Sequence, residues 1–423
     1  MSGEAVTRCS AAAADEGDAA KTNTRRFNII RSVFHPIVSM REVALKVFDT
    51  LATIPVADWD SLAGSNPTLR HAFLQSLIDA GCTTAKTGWL PQFLTLWRQA
   101  DDGDGDGREK LCGAVPLYVK GHSYGEYIFD WAWAEAYQRN GLDYFPKLLA
   151  AVPFTPCTGT RLMARTAADR KIMIDGLLKL ARQSDVSSLH VLFPDVAEHQ
   201  QLVDAGMLAR ASIQFHWRNN GYRHFDDFLM TMNHDKRKKL KQERRKIVEA
   251  GISFRRLVGN DVTLSDWDFF VSCYGHTYQT HFSTPYLNRE FFGLIGERMP
   301  ENILLIIAER DGRPIASALN LWSATRLYGR YWGALEFHSG LHFETCYYQA
   351  LEFCIERGIH VFEGGAQGEH KLARGFLPVK CHSAHWLKEP RFARAVEDFL
   401  ERETGGIEQY VNELGDSSPF KLA

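Results

Sequence analysis

The chain has 423 residues, 45% hydrophobic and 24% charged, with a formal net charge of -2; it can bury one or two cores, and it carries no overall charge excess that would tie it to a polyanion. No apolar run approaches the roughly 20 residues of a membrane span, and the N-terminal stretch lacks a signal peptide's apolar centre and small-residue cleavage site, so the expected location is the cytoplasm. Eight cysteines without Cys-x-x-Cys spacing do not suggest a disulfide framework and read mostly as buried thiols.

Residues 1–42 are rich in Ala, Asp, Thr and Arg without periodicity and read as a disordered leader, with Met40 as an alternative start. A first unit, 43–220, is expected to run through an opening strand (45–54), two helices (57–80), a meander (91–98, 111–120, 124–131), a helix to Ala151 and a returning strand (188–193). Its DDGDGDG loop (101–107) imitates a calcium loop, but Gly113 stands where a bidentate Glu is needed, so it reads as an acidic hairpin tip. Residues 221–250 then carry KRKKLKQERRK (236–246), a basic helix in which Lys236, Arg237, Lys239 and Arg244 are candidate phosphate ligands.

In the second unit, 251–423, the order repeats: a strand (252–258), two helices (265–298), a meander (303–310, 313–322, 326–333), a helix (341–357) and a strand (359–363). Asp311-Gly312 is a favoured two-residue hairpin turn between two apolar alternating runs. Tyr124-Gly125-Glu126-Tyr127 parallels Tyr328-Gly329-Arg330-Tyr331, which points to a tandem duplication about 200 residues in period.

The segment 327–378 packs charged residues and histidines between glycines where a core would be apolar, and reads as a site. Glu363 and Glu369 are candidate bases, His370 a proton relay, the N–H groups from Gly364 to Gly368 face an expected oxyanion, and Lys371 is expected to hold the donor or the developing negative charge. Lys371 and Arg374 are expected to clamp an anion, with Gln367 and Glu369 in the same turn. Arg330, His342 and Glu344 form the expected opposite wall. From the first unit, Glu126 and the loop PFTPCTGTRL (153–162), with Thr158 and Arg161, are candidate substrate contacts, and Glu126 and Arg330 are expected to face each other across the units. His382 and His385, three apart on a strand, fall on opposite faces, so no metal is expected.

The element order resembles the GCN5-related N-acyltransferase fold, a mixed-sheet α/β architecture, and two such units resemble the Fem-type peptidyltransferases of peptidoglycan synthesis. PFTPCTGTRL, KRKKLKQERRK, LYGRYWG, LHFETCYYQ and GAQGEHKLARGF together are similar to an uncharacterised Fem-like acyltransferase family over about residues 45–415. The resemblance implies direct acyl or aminoacyl transfer from acyl-coenzyme A or aminoacyl-tRNA to a small-molecule or peptide amine, with tRNA or an anionic lipid-linked precursor as a partner. The chain departs from it twice. The coenzyme A loop fails at its last position in Arg330-Tyr331-Trp332-Gly333-Ala334-Leu335, and no heptad run forms the coiled-coil arm of tRNA-dependent relatives. The competing expectation is a non-catalytic module that recognises a cell-envelope precursor or a protein partner.

Overall fold

The computed structural model describes residues 39–40, 43–99, 109–366 and 368–421; the acidic tip at 101–107 and nearly all of the leader lie outside them. The strands are β1 (Ser39–Met40), β2 (Val43–Phe48), β3 (Trp89–Pro91), β4 (Phe93–Arg98), β5 (Lys110–Val115), β6 (Leu117–Lys120), β7 (Lys147–Ala150), β8 (Met163–Ala164), β9 (Ser188–Leu192), β10 (Leu208–Arg218), β11 (Ile252–Val258), β12 (Ile303–Arg310), β13 (Arg313–Trp322), β14 (Arg326–Ala334), β15 (Val361–Ala366) and β16 (Leu377–Leu387). The helices are α1 (Val56–Ala63), α2 (His71–Asp79), α3 (Trp131–Arg139), α4 (Ala167–Gln183), α5 (Val196–Asp204), α6 (Phe225–Thr231), α7 (His234–Glu249), α8 (Leu264–Thr280) and α9 (Arg289–Arg298). Then α10 starts at Leu341–Phe343, passes through a π-helical stretch, Glu344–Tyr348, and continues as Gln349–Glu356; α11 is Pro390–Asp416. None of the described helices is long and apolar enough to cross a membrane.

A five-stranded sheet takes the order β1-β2-β4-β5-β8, and an eleven-stranded sheet takes the order β11-β12-β13-β14-β15-β10-β16-β9-β7-β6-β3. The centre of the larger sheet is symmetric. Strands β10 and β16 pair antiparallel from Leu208↔His385 to His216↔Leu377, so a local two-fold carries Leu208 onto Leu377 and His216 onto His385. Outside this pair, β15 is antiparallel to β10 and parallel to β14, just as β9 is antiparallel to β16 and parallel to β7. Each half thus lends its last long strand to the other, a pairing whose loss would expose two unpaired edges at once.

This symmetry fixes the register of the duplication and corrects the expected one. The counterpart of β14 is β7, not residues 124–131, which form turns and the first residue of α3. Residues expected as a helix up to Ala151 include strand β7, and Pro116 divides the expected strand 111–120 between the two sheets. The opening strand stops at Phe48. The Asp311-Gly312 turn does join β12 to β13, with both residues at positive φ (52° and 71°).

The largest cluster spans both halves: Trp59, Phe73, Trp89 and Phe93 are continuous with Trp267, Phe270, Phe292 and Tyr328. A second core packs α4 under the first-half strands, and a third packs α10 against Leu327, Phe362 and Phe376 on the other face of the large sheet. Burial on this scale, at roughly 25 cal/mol per Å² of apolar surface, is the main force holding the halves as one body.

Candidate active site

Strands β14 and β15 pair at only three register positions, Arg326↔Val361, Leu327↔Phe362 and Tyr328↔Glu363, and then separate. Beyond Tyr328 no described strand covers the β15-facing edge of β14, and its backbone groups face the opening. On the α8 face the split holds a cavity of about 380 Å³ walled by Tyr274, Tyr278, Tyr127, Pro156 and Lys371. On the α10 face a second cavity, about 120 Å³, is walled by Asn320, His342, Cys346 and Tyr347. Both share Gly329 to Trp332 and Gly364, so the split connects two faces of the sheet.

The glycines have separate duties. A Cβ on Gly333 would stand 2.0 Å from the Cys273 carbonyl oxygen, so this glycine exists for the close approach of α8, where the Thr277 hydroxyl donates to the Trp332 carbonyl (2.9 Å). Gly365, at φ +82° with open space where a side chain would stand, turns β15 away from β14. Room beside a glycine is thus found at Gly365 and not at Gly333.

Lys371 lies on the 3-10 turn Glu369–Arg374 that follows β15. Its ammonium donates to the Gly365 carbonyl (3.2 Å), and burial lowers its pKa to about 8, with only Cys346 acting in the opposite direction. His342 packs on Trp332 with ring centroids 5.0 Å apart, and burial, His370, Arg374 and Lys371 hold its pKa down at about 4, so it is neutral. The Tyr347 hydroxyl lies 3.3 Å from Nε2 of His370, whose ring is lowered by burial and then by Lys371 and Arg374. Arg330 reaches across to the Phe154 carbonyl, the Thr155 hydroxyl (3.4 Å) and the Tyr331 hydroxyl (3.1 Å).

The structure therefore brings together Arg330, His342, His370 and Lys371. It takes others elsewhere. Glu363, expected as a base, is buried with its oxygens occupied by Arg326 (2.6 Å), the Thr158 hydroxyl (2.7 Å) and the Thr158 N–H (3.1 Å). Arg374 is not a clamp beside Lys371: it donates twice to Glu243 (2.8 and 3.0 Å) and once to the His370 carbonyl (2.7 Å), and it stacks on Phe343. Arg244 and Glu344 bind each other (2.9 and 3.1 Å), and Arg244 also holds Glu352 (2.6 Å), which removes one from the phosphate set and the other from the substrate wall. Glu126 does not meet Arg330. It pairs with Lys147 (2.9 Å), and burial pushes its pKa up to about 7.

Arg161 is fully buried and donates to the carbonyls of Cys157 (2.5 Å), Thr160 (2.9 Å) and Gly159 (3.1 Å), so it shapes its own loop. Of the remaining basic set, Arg237 lines a shallow groove on α7 with Lys238, Lys241 and Arg245, while Lys236 and Lys239 lie outside it. Gln367 and the side chain of Glu369 fall outside the described residues. Among the described residues no group of three His, Cys, Asp or Glu side chains converges as a metal site. Sequence reasoning missed the phenols of Tyr274 and Tyr278, although their i, i+4 spacing on α8 was a usable signal of one shared face.

A family model described as peptidoglycan biosynthesis/recognition, FemAB-like, matches residues 50–422. No curated protein matches. Among solved structures, FemX aligns at 11% identity with a TM-score of 0.51, covering 81% of this chain and 98% of that one. The C-terminal domain of a putative lysylphosphatidylglycerol synthetase from Agrobacterium fabrum aligns at 10% identity and 0.49, over 81% and 95% of the two chains. A tandem GNAT protein from the clavulanic acid biosynthesis pathway aligns at 10% and 0.42, over 82% and 99%. At such identities the likeness concerns the fold, two tandem GCN5-related N-acyltransferase-like units, and the match of the family model over nearly the whole chain establishes that the protein belongs to the FemAB-like family.

Proposed function

We propose that the protein transfers an acyl or aminoacyl group to an amine at the split between β14 and β15. One observation carries this reading: the split opens to both faces of the sheet, with Lys371 in its wall. A donor enters from the α10 face and an acceptor amine from the α8 face, so the two meet without a covalent enzyme intermediate. Cys346 is no nucleophile here, because burial raises its thiol well above the ordinary range and keeps it protonated. In this reading residues 43–220 and 251–423 are the two units and 221–250 joins them.

The amine nitrogen attacks the acyl carbon, and the Lys371 ammonium stabilises the oxyanion. Collapse expels the thiol or hydroxyl of the carrier, which leaves with the proton released by the amine. With Glu363 already engaged, the amine reacts as its free-base fraction, and the rate climbs with pH until Lys371 begins to lose its proton.

The donor is acyl-coenzyme A or aminoacyl-tRNA. The start of α10 favours a donor whose phosphates bind elsewhere, since Glu336, held by His338 (2.9 Å), stands just before it. Purified protein incubated with a labelled amine pool and either acetyl-coenzyme A or charged tRNA should form an amide with one of them, seen by mass spectrometry. The occupied Glu363 is also what favours the second reading, a non-catalytic module that binds a cell-envelope precursor or a protein partner. Absence of product with both donors, together with a melting-temperature rise on adding a peptidoglycan precursor, would leave that reading standing.

A further inference from the structure

A third cavity, about 310 Å³, lies beside the split where the two halves exchange strands. Along β14 its lining is Arg326 and Tyr328, immediately before the Gly329 that begins the split; along β15 it is Val361, three residues before Gly364. At roughly 3.3 Å per residue the two linings are one step apart along β14 and three along β15, about 3 to 10 Å. Glu363, held by Thr158 and Arg326, lies on β15 between the two linings, on a strand that runs continuously from one to the other.

Cations outnumber carboxylates in its lining. Arg218 from β10, Arg326 from β14 and Lys380 from β16 all line it. Arg218 makes no ion pair among the described residues, and Lys380 has only an exposed pair with Glu408 (3.2 Å), a contact water competes for easily. Arg326 gives one nitrogen to Glu363. Against them stands Asp195, whose carboxylate already accepts the Glu198 N–H (2.9 Å) at the start of α5. The floor includes His216 and His382, and the rim holds Asn66, whose oxygen is occupied by Thr68 while its amide nitrogen lies beside Gly159.

Three cations from three strands of both halves, around a concave floor, are the makings of an oxyanion site. We propose that this cavity binds a carboxylate or phosphate carried by the acyl acceptor, so that the acceptor is an anionic amine whose negative group lies beside the split rather than in it. The proposal rests on the transferase reading for the word acceptor, and on the cavity alone for the anion.

The test uses the full chain and two probes, inorganic phosphate and succinate, titrated calorimetrically against a sodium chloride blank of equal ionic strength. Wild type should bind one of them saturably, and the tighter probe identifies the group. Arg218→Gln with Lys380→Gln, checked for folding by circular dichroism, should weaken that binding at least about tenfold, whereas Lys236→Gln with Lys239→Gln on α7 should not. No saturable binding, or equal affinity in the Arg218/Lys380 variant, overturns the proposal. Because binding is read without turnover, a protein that binds the probe here yet transfers nothing sinks the transferase reading alone. One that forms amide while the Arg218/Lys380 variant binds as tightly as wild type sinks the anion site alone.

Discussion

The two halves treat the same place in the fold in opposite ways. By the local two-fold, Lys147 on β7 stands where Arg326 stands on β14, and His190 on β9 stands where Glu363 stands on β15. Just beyond this place β14 and β15 part around a cavity, after Tyr328↔Glu363, whereas β7 and β9 stay paired one step further, to Ala150↔Val191. At the place itself the first half is packed with charge. The Lys147 ammonium meets Ser123 (2.8 Å), Glu126 (2.9 Å) and Asp130 (2.5 Å), and the Tyr144 hydroxyl donates to Asp130 (2.6 Å). His190 and His385 share a contact between their Nδ1 atoms (2.7 Å), with the His385 ring edge-on to Trp133. The candidate site goes with unfilled volume beside a few ions, and the packed ions of the first half go with no such volume among the described residues.

The widest separation between the two regions should come from Lys147→Met. It strands Glu126 and Asp130 in a buried space, and breaking such a network by removing one partner costs about 3–5 kcal/mol. Denaturant melts should show that loss, while amide formation per folded molecule stays within a few-fold of wild type, because no reacting atom is touched. A stable Lys147→Met protein, or one folded but inactive, would mean the first-half network has been misjudged as structural.

In the second half, Lys371→Met should leave the fold standing and lower turnover roughly 100- to 1000-fold, the usual cost of losing one oxyanion donor. Two pH profiles give the sign. Wild-type turnover should fall as pH rises through about 8, the pKa of Lys371, and the variant should lack that descending limb. Stability behaves the other way. Folded Lys371 releases its proton near 8 but an unfolded lysine does so near 10.5, so between those values the unfolded chain binds more protons and stability rises with pH. The variant should lose this rise, a check on the site's electrostatics that needs no substrate.

How much of this was legible follows from what each signal depends on. Alternation and the Asp-Gly turn located β12, β13 and β14, because those features are local. The Tyr-Gly-x-Tyr repeat misled, since Gly125 serves a turn at φ +79° against Phe154 and Gly329 serves a strand; two glycines looked alike for unrelated reasons. Strand exchange between halves is non-local and leaves no mark in either half's own pattern. In the site, Lys371 could be picked out by its neighbours in sequence, but whether Glu363, Arg374, Arg244 and Glu344 face a ligand or one another depends on partners at distances of 100 to 205 residues along the chain.

Glu363→Gln tests the clasp between the regions. The amide keeps one acceptor for Thr158 but loses the charge that holds Arg326, a change worth about 1–3 kcal/mol for a buried hydrogen bond to a charged group. As a positioning residue it should raise KM more than it lowers kcat, and Thr158→Val, acting on the same loop from the other side, should reproduce that split. A base at this position would instead give a kcat defect that shrinks as pH rises, so a pH-independent defect sets the two roles apart.

The smallest effect separates two residues that the sequence grouped together on the basic helix. Lys239 on α7 is exposed, and Lys239→Gln should change stability by no more than about 0.5 kcal/mol. Arg244 is five residues further along the same helix, yet its guanidinium is committed to Glu344 and Glu352 and stacks on Phe225, with its charged form favoured by those two carboxylates despite burial. Arg244→Gln leaves the buried Glu344 with Gln349 (2.8 Å) as its one remaining side-chain partner among the described residues and should cost several times more than Lys239→Gln in the same melt. The pair also bears on polyanion binding. If α7 holds phosphate groups, Lys239→Gln should lower that affinity and its salt dependence while Arg244→Gln acts through folding alone. Equal melts for the two variants would return Arg244 to the solvated face, and with it the expectation that the whole run of basic residues acts as one surface.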